Sequence, residues 1–226
     1  LSAVLDTTKT TNPTAGDDGY RRIRGDIIFG KLRPDQKLRL EPLKEEYGLS
    51  VSTLREILSR LSSEGFVVAE GHKGFEVAPV SATNLRELAD LRVLLECHAM
   101  ERSFANGDVE WEGRVVSAHH KLAAVEAKIG SSKADKALWK RYDGEFHLAL
   151  ISNCASVPLI ETHQTTFDKY FRYPMIGARF RGPEPIQQHR QLLECALARD
   201  IKAAKRILIE HVKNCVDYAL ASGALC

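Results

Sequence analysis

The sequence contains no apolar run approaching the roughly 18–20 residues that span a bilayer, so no transmembrane helix and no membrane role are expected. No secretory pattern opens it, and a start at Leu1 rather than Met reads as trimming. There is no C-x-x-C pair. The five cysteines, Cys97, Cys154, Cys195, Cys215 and Cys226, are odd in number and far apart. That favours reduced thiols in a cytoplasmic protein over a disulfide frame or a zinc ribbon. Net charge is nearly absent too, with 32 Lys+Arg against 30 Asp+Glu. A balance of +2 is silent about polyanionic partners, so the placement of individual arginines has to carry any such claim. No internal repeat is visible, and beyond residue 84 no alternating strand pattern occurs.

What is present is a globular composition, 44% hydrophobic and 27% charged over 226 residues, enough for one large domain or two ordinary ones. Residues 1–19 are Thr-, Gly- and Asp-rich without periodicity and read as a flexible arm. Residues 20–80 alternate short elements. "YRRIRGDIIFG" predicts a helix with Ile23, Ile27 and Ile28 inward and Gly30 as its stop. "EPLKEEYG" predicts a short helix closed by Gly48, and "LSVSTLREILSRLSSEG" a third, capped by Ser50 with Leu49 and Leu54 as a hydrophobic staple. "FVVAE", "GHKG" and "FEVAPV" read as a β-hairpin around a glycine-flanked turn. Three helices followed by a hairpin is the order of a winged helix-turn-helix.

Residues 84–222 predict six antiparallel helices, at roughly 84–106, 108–129, 134–154, 157–173, 184–198 and 200–221. The fold class is therefore mainly α, with a winged reader over 20–80 and an all-α bundle behind it. Several apolar rows of the bundle are interrupted by chemistry. One row runs Trp139, Asp143, Phe146/His147, Leu150, Cys154; another Ile186, His189, Leu193, Ala196/Leu197; a third Ile201, Ala204, Leu208, His211, Cys215. Arg92 breaks the row Leu85, Leu88, Leu95, Ala99, and His163 lies on the row Ile160, Phe167, Phe171. His98, His119 and His120 read as surface or second layer.

The stretches "YRRIRGDIIFGKLRPD" and "LSVSTLREILSRLSSEGFV" resemble the DNA-binding domain of GntR transcription factors. "LADLRVLLECHAM", "YDGEFHLAL", "QQHRQLLECALARD" and "KRILIEHV" resemble the FCD effector domain of the FadR subgroup. Six helices are similar to its VanR-type branch. Two positions depart from the pattern: Val51 stands where the recognition helix usually has arginine, and Asp35 where a glycine follows L-R-P. Arginine is the common bidentate reader of guanine, so the first departure bears on operator sequence.

The resemblance implies a cytoplasmic homodimer that binds a near-palindromic double-stranded operator and acts as a repressor. A recognition helix offers its N-terminal end to the major groove, which selects Ser50, Ser52, Thr53 and Arg55. Arg33 is placed for a phosphate, and His72, Lys73 and Gly74 at the hairpin tip for the minor groove. In the bundle, Asp143, His147, His189 and His211 match the metal-binding FCD subclass. A carboxylate with three neutral imidazoles suits a divalent transition metal, zinc first, with nickel, manganese, iron or cobalt as alternatives. Arg92 either snorkels out to solvent or pairs with Glu96 one turn away, or else clamps the carboxylate of a small organic-acid effector, with Arg172 a second candidate. Two further readings stay open. The metal is itself the signal or purely structural, or the site is a metal-dependent hydrolase. The last finds no general base beside the four ligands, and no catalytic residue is assigned.

Overall fold

The computed structural model describes residues 14–69, 74–128, 133–176 and 182–223. They form two compact units. One holds Leu32–Ala78 together with the first helix as far as Ile27, and the other runs from Pro79 onward and includes Ile28–Lys31.

In the first unit, α1 (Ala15–Ile28), α2 (Leu40–Tyr47) and α3 (Val51–Ser63) bury one face each over a small sheet. Ile23, Ile27, Leu43, Leu54, Leu58 and Leu61 are almost wholly enclosed. α1 starts five residues before Tyr20, inside the stretch expected to be an arm. The reason is local: the Thr14 hydroxyl accepts from the Asp17 amide while the Asp17 carboxylate accepts from the Thr14 amide, a reciprocal cap. Gly19 lets α1 lie close to Leu49: a Cβ there would sit 2.4 Å from Leu49 Cδ1 and push that side chain aside. Gly48, at φ 68°, ends α2 in the left-handed region, and Ser50 caps α3 by accepting from the Thr53 amide at 3.1 Å.

The wing is larger than a hairpin. β2 (Val67–Ala69) and β3 (Phe75–Val77) pair antiparallel, and β1 (Lys37–Leu38) adds to the other edge of β3, giving the order β1-β3-β2. Lys37 faces Glu76 and Leu38 faces Phe75. The turn leading into β1 holds Asp35 at φ 61°, so the position keeps the left-handed backbone that a glycine would adopt freely. Aspartate tolerates that conformation better than most side chains.

The second unit is a six-helix bundle of α4 (Ala82–Ala105), α5 (Val109–Glu126), α6 (Lys133–Ile151), α7 (Val157–Ile176), α8 (Glu184–Ala198) and α9 (Ile201–Ala221). α4 packs on α7 and α9, α5 on α6 and α8, and α8 on α9. The core includes Trp111, Phe146, Leu150, Tyr170, Leu192 and Leu208. α6 ends at Ile151 rather than near 154, with Ala155 in a left-handed turn at φ 54°. α7 runs past its expected end to include Pro174, which sits in the last turn where little of the helical ladder is lost. The turn between α8 and α9 is tight: Arg199 adopts φ 56°, and Asp200 caps α9 by accepting from the Ala203 amide at 3.0 Å. Among the described residues no helix is long and apolar enough to cross a membrane.

Candidate functional site

α6 carries Asp143 and His147 one turn apart, both on its inward face. The α8–α9 hairpin aims His189 and His211 at the same point, their rings 4.8 Å apart. All four residues are buried, and a ligand atom from each lies within 4.8 Å of every other. Two donors on one ion are at most about 4.2 Å apart, twice a bond of about 2.1 Å, so small side-chain shifts close this cluster on a cation.

Each imidazole is held from behind. The Glu96 carboxylate of α4 accepts from Nδ1 of His147. Glu126 Oε1 at the end of α5 accepts from Nδ1 of His189 at 2.8 Å, and Gln188 Oε1 accepts from Nδ1 of His211 at 2.9 Å. In a neutral ring whose proton is on Nδ1, Nε2 is the atom left for a metal, the usual device that orients metal-ligating histidines. His189 Nε2 is buried, lacks a hydrogen bond of proper geometry, and stands 3.3 Å from Asp143 Oδ1. Between that nitrogen and the carboxylate either a proton or a metal cation has to sit, since two buried lone pairs facing each other would repel. The residues therefore fit a metal ion.

Charge supports the same arrangement. Burial disfavours an ionised Asp143, but His189 and His147 outweigh it and hold the carboxyl below its ordinary range. Burial would raise Glu96 likewise, yet His147 and Arg92 keep it well below. Burial lowers His147, reinforced by Arg92 and opposed by Glu96, so that ring is a neutral ligand. His189 behaves differently. Burial works against its cation, but Asp143 and Glu126 together push it up to about 9, so without metal it is an imidazolium between two carboxylates.

Arg92 sits at 1% exposure, so it does not snorkel to solvent but pairs inside the bundle. Nε donates to Glu96 Oε2 at 3.0 Å, the pair one turn apart, while Nη2 lies 3.2 Å from His147 Nε2. The guanidinium is stacked between Phe167 and Tyr170. His163 is buried and reaches Glu96 Oε2 through Nε2 at 3.2 Å, leaving its Nδ1 unpartnered. Arg172 is buried further along α7. A cleft of about 340 Å³ between α6 and α7 has Gly144, His163 and Phe167 in its lining. Gly144 keeps that wall close, since a Cβ there would meet Phe167 Cε1 at 3.3 Å.

Glu126 and Gln188 escaped the sequence reading, and Glu96 entered it only as a partner for Arg92. Glu126 follows Trp111, Val115, Ala118 and Leu122 on one buried row, an acid at the end of an apolar stripe. Gln188 belongs to the buried row Pro185, Gln188, His189, Leu192, Ala196, so α8 is turned about one residue from the expected row; Leu193 is half-buried and Leu197 exposed.

On the winged unit, Ser50, Ser52 and Arg55 are exposed and Thr53 is half-buried at the start of α3. The Ser50 hydroxyl bonds the other two, its Oγ lying 2.8 Å from both Ser52 Oγ and Thr53 Oγ1. Arg33 is exposed in the turn before β1. Gly74 is exposed at φ 96°; His72 and Lys73 lie outside the described residues.

Residues 17–77 match the bacterial regulatory proteins of the gntR family, and residues 87–214 match the FCD domain. Over 202 residues the chain is 35% identical to the HTH-type transcriptional repressor GlaR of Escherichia coli, covering 86% of this chain and 91% of that protein. Over 209 residues it is 33% identical to the HTH-type transcriptional regulator BphR of Paraburkholderia xenovorans, covering 91% and 85%. The solved structure of McbR/YncC from Escherichia coli has the same fold, with a TM-score of 0.76 over 92% of this chain and 98% of that one, at 20% identity. A winged helix-turn-helix joined to a helical FCD bundle defines a class of DNA-binding transcriptional regulators, not enzymes. The chain belongs to the GntR family, in its FCD-carrying FadR subgroup.

Proposed function

We propose that this regulator is a cytoplasmic homodimeric repressor whose hold on a near-palindromic operator is set by a small organic acid bound at a divalent metal, zinc first, on Asp143, His147, His189 and His211. The observation that carries the reading is the cluster itself: one carboxylate and three imidazoles, all buried, with a ligand atom from each within 4.8 Å of every other, and each ring held by an acceptor on Nδ1, from Glu96, Glu126 or Gln188. When bound, the metal supplies a Lewis-acidic anchor for a carboxylate. The protein's own part is to hold the imidazoles, exclude water, and keep the Arg92 guanidinium beside His147. Support for a small ligand comes from the cleft between α6 and α7, whose lining residues His163 and Phe167 contact Glu96 and the His147 ring respectively. On the winged unit, Ser50, Ser52, Thr53, Arg55, Arg33 and the wing tip at His72, Lys73 and Gly74 are assigned to DNA.

In such a switch the acid biases two arrangements of the dimer. Moving the balance from 1:99 to 99:1 takes about 5.5 kcal/mol of differential affinity. A metal bond together with a buried guanidinium contact is of the right scale. The complete burial of all four ligands favours one second reading, a metal that is structural or is itself the signal. Metal analysis of purified protein, followed by thermal shift with a panel of organic acids and by operator titration, separates the two. The proposal expects near one metal per chain and an acid that raises Tm and alters operator affinity. If no acid shifts Tm while metal removal abolishes DNA binding, the second reading stands. If purified protein holds no stoichiometric metal and takes none up, both fall.

A further inference from the structure

The winged unit sorts its cations. Arg21 pairs with Asp18, Arg24 and Arg60 with Glu64, and Lys44 with Glu41, while Arg22 donates to the Tyr47 carbonyl. Arg33, Lys37, Arg39 and Arg55 are exposed, and none of these four side chains has an ion-pair or hydrogen-bond partner among the described residues. Among the described residues of the unit, the unneutralised positive charge is thus concentrated in four places.

Those places adjoin one groove. Pairing of β1 with β3 turns Leu38 inward, so strand alternation leaves Lys37 and Arg39, on either side of it, facing solvent. The groove beside them has Lys37, Arg39, Glu41, Val51, Arg55 and Phe75 among its lining residues. Of the acids nearby, Glu41 is engaged by Lys44, and Glu76 stands opposite Lys37 in the ladder without forming an ion pair with it. The first turn of α3 borders the same groove at Val51, bringing the positive end of a helix dipole to it. Residues two apart on a strand are separated by about 6.6 Å, the scale of neighbouring phosphates on one DNA strand.

We propose that Lys37, on the strand that enlarges the wing, and Arg39, in the extended N-cap position of α2 just after it, are phosphate contacts that seat one strand of the operator backbone in this groove while Arg55 faces the base edges. This rests on the reading of α3 as the groove-reading helix. The unpaired state of both side chains is what such a contact needs, because no internal ion pair has to break before a phosphate is bound. Phosphate contacts fix register without selecting sequence. Each also releases condensed counterions, so its loss is read in the salt dependence and not only in affinity.

The test uses the full chain, metal-loaded, with a duplex selected by that chain from a random library and an unrelated duplex of equal length. Affinity is measured at several KCl concentrations between 50 and 200 mM, and each variant's Tm is recorded. Lys37→Ala and Arg39→Ala are expected to flatten the slope of log K against log salt by about 0.9 each. At 0.15 M salt that corresponds to a loss of about fivefold each, equal on both duplexes, with Tm unchanged. Arg21→Ala, which removes an ion-paired cation, leaves the slope alone. Unchanged slopes in the Lys37 and Arg39 variants, beside a steep wild-type slope, overturn the inference. So does a loss confined to the selected duplex, which would make these residues base readers. The underlying reading of α3 fails separately, if Arg55→Ala leaves the preference for the selected duplex intact.

Discussion

Replacing Glu126 by Gln probes the candidate metal centre with almost no change of shape. The wild-type carboxylate accepts from Nδ1 of His189 at 2.8 Å and raises that ring's basicity toward protons and metal alike. Loss of such a partner lowers metal affinity about 10- to 100-fold, or roughly 1.4–2.7 kcal/mol. The pH dependence makes the test specific. In the metal-free protein His189 is charged below about 9, so the metal must displace a proton. Wild-type affinity should therefore rise about tenfold per pH unit from neutrality and level off above about 9. In Glu126→Gln the ring is less basic, proton competition ends at lower pH, and the curve levels off earlier and lower. The deficit is then small near pH 7 and full above pH 9. Competition against a chromophoric chelator across that range, with Co²⁺ as the spectroscopic probe, reads both curves. A deficit that is the same at every pH would refute the argument, since it would show that Glu126 supports the fold and does not tune His189.

Arg92→Ala should lower unfolding stability of metal-free protein by about 3–5 kcal/mol in urea titrations, because it strands the buried Glu96 carboxylate; a loss below 1 kcal/mol would show that His147 and His163 suffice for Glu96. Asp35→Gly should raise stability by about 0.5–1 kcal/mol, relieving a side chain held at φ 61°, and an unchanged or lower denaturation midpoint would oppose this. Ser50→Ala should cost about 1 kcal/mol by removing the cap on the Thr53 amide, and Ser50→Gly only a few tenths. Equal losses in the two variants would mean that the hydroxyl's bonds to Ser52 and Thr53 matter more than the cap.

Much of this protein is legible in its local sequence. Gly48 and Ser50 mark the turn between α2 and α3 because left-handed backbone and a capping hydroxyl are requirements of single positions. Asp143 and His147 share a face because four residues make one helical turn, and His211 stands on a row that the fold indeed buries. Even the early start of α1 was written in Thr14 and Asp17, a cap hidden in a stretch whose composition suggested an arm. Other features depend on partners far away in the chain. β1 is only two residues, too short to announce itself, and exists because β3 offers it an edge. The rotation of α8 that buries Gln188 and frees Leu197 follows from its packing against α5 and α9, which periodicity in one helix cannot fix to better than a residue.

The sequence by itself determined the helices, their caps, and the inward rows on which one carboxylate and three imidazoles ride. These follow from torsional preference and the 3.6-residue repeat, which act within a few positions. Only the tertiary structure decided that the four meet, that Glu96, Glu126 and Gln188 stand behind the rings, and that Lys37 and Arg39 join Arg55 at one groove. Hydrogen bonds and fields between side chains depend on distances of a few ångströms, and those are set by how separate helices and strands pack.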